Sequence, residues 1–417
     1  MATETKKEVR ESWKTPTVMG SIAAVILVFF GILGKSEIVS FELTGVREVV
    51  QLPYIDIPSS FLGTVAGIIL LAITAYVAWQ VSRNIRASIW FSLLFGAVAL
   101  VALLGWLAAG SVVPVAFILG SALVLAVPIM LGAMAGVMSE RVGVVNIAIE
   151  GQLLTGAFVA SVVSTLTGNQ IIGIVSAMIT AALFSAVLAV FAVRFLAQQI
   201  IVGVVLNVLA IGITNFLYQQ WVTEDESATN SPGTLPIIHI PFLGDIPIIG
   251  PVLFQNRITV FLAIAIVIVL WFVLFKTKLG LRARAVGENP LAADTVGINV
   301  SRTRFWWVTL GGLLAGLGGA ALTVGSSGSF GREMSGGLGF IALAVVILGR
   351  WHPGYATAAA LLFGFSIILR IWANQVSPGI PTNFITMVPY LVTIIAVVGF
   401  VGRSRPPAAD GIPYVKG

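Results

Sequence analysis

Apolar runs of about 18 or more residues recur along almost the whole chain, and no other feature restricts its fold so severely. At 1.5 Å per residue a helix of that length crosses a hydrocarbon core of about 30 Å. Inside lipid every backbone N–H and C=O must find its partner within the segment, so such runs read as helices. There are about twelve, near 17–34, 61–81, 88–109, 115–138, 146–166, 170–193, 199–220, 258–275, 305–325, 338–349, 354–374 and 384–402. The tenth is too short to cross unaided. Only 10% of residues are charged, where a soluble domain carries about 25%. The expected fold is therefore all-α: a polytopic integral membrane protein of about 10–12 transmembrane helices, with discontinuous helices in its core. Met1–Lys14 is charged and no small-residue cleavage site follows the first run, which is expected to remain as a helix.

Basic residues orient the runs, because cytoplasmic loops carry the positive excess. With the N-terminus inside, all of the 23 Lys and Arg fall on the cytoplasmic side except Lys35, Arg47, Arg257, Arg332 and Arg370. Acidic Glu224, Asp225, Glu226 and Asp245 gather in one outer loop. Both termini are thus expected in the cytoplasm, with the chain in a bacterial plasma membrane. The basic residues are spread over short loops and form no continuous patch, which argues against a nucleic-acid partner despite a pI near 9.8. The absence of cysteine removes disulfides, thiolate metal sites and Cys nucleophiles, and His239 and His352 alone make no zinc site.

Four regions follow: a cytoplasmic tail 1–14, an accessory block 15–110 of about three spans, a core 111–405 and a cytoplasmic tail 406–417. The core carries the Gly-rich and polar interruptions. One is 139–156, SERVGVVNIAIEGQLLTG, and the other is 325–354, GSSGSFGREMSGGLGFIALAVVILGRWHPG, which leads into the undersized tenth run. Short or Gly-broken hydrophobic segments in two parts of a membrane protein point to a translocation pathway. The stretch 221–256 is punctuated by Pro and Gly without helical period and reads as an ordered outer loop.

The longest inner loop, 276–304, contains a helix written in local signals. Asn289 suits an N-cap, Pro290 the first helical position and Gly297 the residue past the end. A helix Pro290–Val296 follows, whose small face of Ala292 and Ala293 allows close docking on another protein.

The string GLRARAVGENPLAADTVGINVSRTR resembles the coupling loop of permease subunits in bacterial ABC importers of the branched-chain amino acid, ribose and nucleoside type. ERVGVVNIAIEGQLLTGAF, GFIALAVVILGRWHPGYATAAALLFGF and the C-terminal RPPAADGIPYVKG are similar to its nucleoside, or simple-sugar, branch. These strings lie within about 115–417, in order; residues 1–110 carry none. The resemblance implies that Arg284, Asn289, Pro290, Ala292, Ala293 and Gly297 couple to a separate ATPase subunit. It implies further partners: a second permease subunit, homologous or identical, and an extracellular or periplasmic solute-binding protein. It also implies that the 146–151 region lies on the pathway for a small polar solute, most simply a nucleoside, with simple sugars and branched-chain amino acids as alternatives. No cofactor is expected on this chain, ATP and Mg being used by the partner ATPase.

Polar side chains at membrane depth are costly and normally face the bundle interior or water. The candidate pathway residues are Asn146, Glu150, Gln152, Asn207 and Asn215. Asn207 and Asn215 fit either a pathway-lining stripe or hydrogen bonds between helices. Glu150 fits a buried acid, a first-turn carboxylate favoured by the helix dipole, or a partner of Arg141. Gly132/Gly136 and Gly312/Gly316 have the spacing of close helix packing. Gly34-Lys35-Ser36 ends like a phosphate loop, but Phe29 stands where the first glycine is required and no strand precedes it. An ion-coupled secondary transporter would need carboxylates deep in its spans, and Glu150 is nearly alone there. A membrane-embedded enzyme would need a His, Asp or Glu constellation at the headgroups, which the sequence lacks.

Overall fold

The computed structural model describes residues 13–45, 48, 50–85, 88–376, 387 and 405–416. The twelfth apolar run, apart from Met387, and Lys6, Lys7, Arg10, Arg47, Arg86 and Arg403 lie outside them. Ten helices among the described residues are long and apolar enough to cross a membrane. The chain divides into two compact units, 1–117 with 370–386 and 118–369 with 387–417.

In the first unit, α1 (Lys14–Val25) continues as a wider π-helical stretch, Ile26–Ile32. Strands β1 (Ile38–Glu42) and β2 (Ile55–Pro58) pair antiparallel, and α2 (Ser59–Ser82) and α3 (Ile89–Leu107) follow. Strand β3 (Val112–Pro114) adds parallel to β1. Small residues let two helices touch backbone to backbone: a Cβ on Gly63 would lie 2.3 Å from the Phe30 carbonyl oxygen. Ser59 Oγ donates to the Gly105 carbonyl at 3.0 Å, tying α2 to α3.

The second unit holds most of α4 (Val115–Glu140), then α5 (Ile149–Thr167), α6 (Gln170–Val193) and α7 (Gln199–Leu217). The stretch 221–256, expected as an ordered loop, carries regular structure that its lack of helical period did not suggest. It has a one-turn helix α8 (Glu226–Thr229), capped by Asp225, and a hairpin of β4 (Ile237–His239) and β5 (Gln255–Arg257). Next come α9 (Ile258–Lys276), α10 (Lys278–Glu288), α11 (Pro290–Thr295), α12 (Val300–Leu322), α13 (Leu338–Leu348) and α14 (Pro353–Val376).

Helices α5, α6 and α12 form the centre. The most apolar stretch of α5 is 78% buried and that of α12 with its extension 72%, against 28% for α7 with its own extension to Val222. Glycine makes this density possible. A Cβ on Gly319 would lie 2.2 Å from the Leu153 carbonyl oxygen, and one on Gly316 2.5 Å from that of Ala177. Gly132 and Gly136 likewise admit Ala342 and Val346 of α13. Both GxxxG pairs therefore serve close helix packing.

Candidate translocation site

Between α4 and α5 the chain leaves helical geometry at 141–148, with Gly143 at φ +83°. Non-helical backbone at membrane depth survives only where protein groups satisfy it. Three side chains from distant elements do so. Gln199 Oε1 accepts the Val145 N–H at 2.7 Å. Arg304 Nε donates to the Val142 carbonyl at 3.0 Å. Asn207 accepts the Gly151 N–H and donates to the Ile147 carbonyl, both at 2.8 Å. Asn146 and Gln152 exchange amide hydrogen bonds at 3.3 Å across the same break, both fully buried. Asn207 is thus committed to holding backbone. Arg304, read from sequence as a cytoplasmic anchor, is buried at 2% exposure instead.

Beyond the π-helical extension of α12 (Thr323–Ser327) a second break, 328–337, is pinned in the same manner. Asn230 of the stretch 221–256 holds both the N–H (2.8 Å) and the carbonyl (2.9 Å) of Phe330, and accepts from Ser161 of α5 at 2.6 Å. Arg257 donates to the Leu235 and Gly325 carbonyls, each at 2.9 Å. Gly336 and Gly337 take positive φ, which suits glycine, and α13 begins at once.

The two breaks meet at Glu150. Its carboxylate, in the first turn of α5, accepts from Ser335 Oγ (2.7 Å), Gly337 N–H (2.8 Å) and Gly339 N–H (2.6 Å). Of the sequence readings, the buried acid holds: Glu150 is 6% exposed, in the first turn of α5 but turned into the protein, where it serves two helix starts at once. The partnership with Arg141 does not: Arg141 Nε donates to the Trp351 carbonyl at 2.9 Å and its guanidinium covers Phe275. Burial, then the nearby Arg284 charge, holds the Arg141 pKa below the usual range. Helix α13 has 11 residues, so it rises roughly 16 Å, about half the hydrocarbon core. Its N-terminus and that of α5 converge on one carboxylate, which accepts N–H groups at the start of α13 and lies at the positive dipole ends of both helices.

Asn146, Glu150, Gln152 and Asn207 therefore form one cluster around the first break. Asn215 stands apart, two turns further along α7, and donates to Glu333 at 3.3 Å. Above the second break, Glu226, Ser227, Asn230, Ser231, Ser327, Gly328 and Ser329 line a polar recess of about 490 Å³. Gln199, Asn230, Arg304 and Ser335 were not among the sequence candidates; they sit at span ends or in loops, and their partners are distant in sequence.

The loop 276–304, expected on the inner side, is helical through most of its length. Helix α10, absent from the sequence reading, is capped by Thr277, whose Oγ1 accepts the Gly280 N–H at 3.3 Å. Asn289 Oδ1 accepts the Ala292 N–H at 3.0 Å and Pro290 opens α11, as the sequence predicts. Gly297, at φ +84°, and Ile298 donate back to Asp294 and Ala293, a Schellman ending. The face of α11 differs from the expected one. Ala293 is turned into the chain at 3% exposure, and Leu291 (62%) and Val296 (76%) are presented outward with Ala292. Arg284 also lies inward, over Phe275.

Broken helices that converge inside a polytopic bundle, joined to a capped helix in the loop 276–304, define the architecture of a membrane transport protein. The chain belongs to the family of branched-chain amino acid transport system permease components, whose family model matches residues 118–397. It is 41% identical to the guanosine ABC transporter permease protein NupQ of Bacillus subtilis, over 72% of this chain and 97% of that protein. It is 40% identical to the nucleoside ABC transporter permease protein NupC of Lactococcus lactis, over 72% of this chain and 96% of NupC. The putative glucose ABC transporter permease protein TsgC13 of Haloferax volcanii is 35% identical, over 61% of this chain and 77% of that protein. No solved structure matches the chain.

Proposed function

We propose that this chain is the membrane-spanning permease of an ATP-driven importer and that its solute is a nucleoside. The observation that carries the reading is near-complete coverage of two nucleoside-type permeases at about 40% identity, against 35% over a smaller share of both chains for the glucose-type relative. The chemistry of the breaks supports it. Glu150 already occupies the helix end that would attract an anion, which disfavours an anionic solute.

Energy comes from a separate ATPase subunit that uses ATP and Mg, and α11 is the contact through which it acts. Both termini face the cytoplasm, a second permease completes the pathway, and a binding protein delivers solute to the outer face. Closure of the ATPase pair displaces α11 and switches the site between outward- and inward-facing forms. The test is uptake of radiolabelled adenosine and guanosine, with ribose and leucine as controls, in cells expressing the chain with its ATPase and binding protein. Nucleoside uptake that requires the ATPase supports the reading. Uptake of ribose or leucine alone overturns the substrate; uptake that persists without any ATPase overturns the mechanism.

A further inference from the structure

The C-terminal segment has no part in the scheme above, yet it is firmly docked. Residues 405–416 form neither helix nor strand, and Pro407, Ala409 and Tyr414 are buried. On one side the segment grips the inner loop. Ala409 N–H donates to the Gly287 carbonyl at 2.9 Å, and Ala408 N–H to Glu288 Oε2 at 3.3 Å. Tyr414 enters the apolar cluster that holds Ala293 of α11 and Val286 of α10.

On the other side the segment grips the first break. Arg304 Nη1 donates to the Ile412 carbonyl at 2.8 Å while its Nε holds the Val142 carbonyl at 3.0 Å, so one buried guanidinium bridges tail and break. Gly143 shows how close the two chains run: a Cβ there would lie 2.8 Å from the Ala409 carbonyl oxygen. Both attachments matter mechanically. Helix α11 is a 6-residue helix in a loop, and a push on such a piece dissipates in the loop unless something rigid ties it to the membrane core. The loop shares one apolar cluster with the break through Val286, Ala293, Val142 and Val144, and the tail adds a hydrogen-bonded tie, backbone bonds at one end and a buried guanidinium at the other.

We infer that Arg405–Lys416 is a transmission strap, with Arg304 as its positioning residue, that carries displacement of α11 to the broken segment 141–148. The inference rests on the importer reading. It predicts a specific defect: without the strap, the permease still binds its ATPase and supports basal ATP hydrolysis, but solute transport and conformational response are lost.

The test uses the complete complex in proteoliposomes, comparing the intact chain, a chain ending at Arg405, and Tyr414→Ala as the milder variant. Three quantities are read: ATPase retained on purification, nucleoside uptake, and the rate at which an impermeant maleimide labels a single Ser329→Cys. The chain has no native cysteine, so that label is unambiguous. The expected result is normal ATPase retention, uptake reduced roughly tenfold or more, and a labelling rate that no longer responds to ATP with vanadate. Tyr414→Ala should show the same pattern in weaker form. Normal uptake in the truncated chain overturns the strap, and loss of the ATPase overturns it in favour of a docking role. If truncation prevents assembly, the strap stands or falls on Tyr414→Ala: unchanged uptake and labelling response there overturn it. Failure of the importer reading looks different: the intact chain itself then shows neither ATP-dependent labelling nor ATP-dependent uptake, and the strap falls with it.

Discussion

Glu150 Oε2 accepts the Gly339 N–H at 2.6 Å, joining the first turn of α5 to the first turn of α13 across 189 residues of sequence. Gly339 has no side chain because none fits: a Cβ there would lie 2.3 Å from the Glu150 nitrogen. The carboxylate therefore sits against two helix starts at van der Waals contact, and its charge meets two positive dipole ends. Glu150→Ala leaves the N–H groups of Gly337 and Gly339 and the Ser335 hydroxyl without an acceptor. The expected loss is roughly 3 kcal/mol or more, since hydrogen bonds to charged groups contribute about 1.5–3 kcal/mol each. Glu150→Gln keeps an acceptor and should lose less. Thermal unfolding of the purified proteins in detergent checks both the order and the size.

Asn207 offers a cleaner contrast. Replacing it by Leu strands the Gly151 N–H and the Ile147 carbonyl inside the bundle, at a cost of roughly 2–5 kcal/mol. Asn215→Leu loses one long contact to Glu333 at a partly exposed position and should cost less than about 1 kcal/mol. Equal destabilisation of the two variants would contradict the assignment of Asn207 to the backbone of the break.

The bilayer dictates long apolar runs, so the spans could be read directly from composition and length. Helix α11 was legible too, because Asn289, Pro290 and Gly297 each satisfy a local backbone requirement. Helix α10 was hidden by Gly280 and Gly287, which look like loop punctuation. Their Cβ positions lie 2.2 Å from the Val273 carbonyl oxygen and 2.3 Å from that of Arg141, so both are demanded by close approach. The partners of the breaks were hidden for another reason. Gln199 meets Val145 and Arg304 meets Val142 only after the bundle has formed, and nothing in their neighbourhoods in sequence encodes the meeting.

The glycines of the central helices separate two kinds of position. Gly319→Ala forces a methyl group 2.2 Å from the Leu153 carbonyl oxygen, and backbone cannot retreat as a side chain can. Gly212→Ala in α7 meets nothing within 4 Å and gains helix propensity of up to about 1 kcal/mol. Membrane abundance of fluorescent fusions should fall sharply for the first and hold or rise for the second.

Asp410 gives the tail a pH dependence. Burial pushes its carboxyl up to about 7, partly offset by the Gly411 N–H and by Arg304. The Glu140 carboxylate also faces it. An undocked tail has an ordinary carboxyl near 4, so the docked state prefers the protonated form. That preference is fully present below about 4 and is lost as pH rises through about 7. Hydrogen exchange at the Ala409 N–H, corrected for intrinsic rates, should therefore accelerate progressively between about pH 4 and 7. Asp410→Asn should abolish the change; an unchanged profile in that variant would remove Asp410 as its source.

The exposed face of α11 decides where a partner can bind. Ala293 packs with Val286, Val300 and Tyr414, so Ala293→Asp buries an unpaired charge and damages the loop itself. Its effect on transport would say nothing about docking. Leu291 and Val296 have no such inward role and are the large apolar side chains that α11 and its C-cap present outward. Burying two side chains of this size stabilises a contact by roughly 3–6 kcal/mol, and a carboxylate in the same place opposes it. Leu291→Asp with Val296→Asp should leave the permease as stable as the parent in thermal unfolding while the ATPase no longer co-purifies and nucleoside uptake disappears. Ala293→Asp should lower the unfolding temperature. If instead the double variant retains its ATPase, the contact lies elsewhere on the inner loop, and the exposed Leu279 and Leu281 of α10 become the surface to change next.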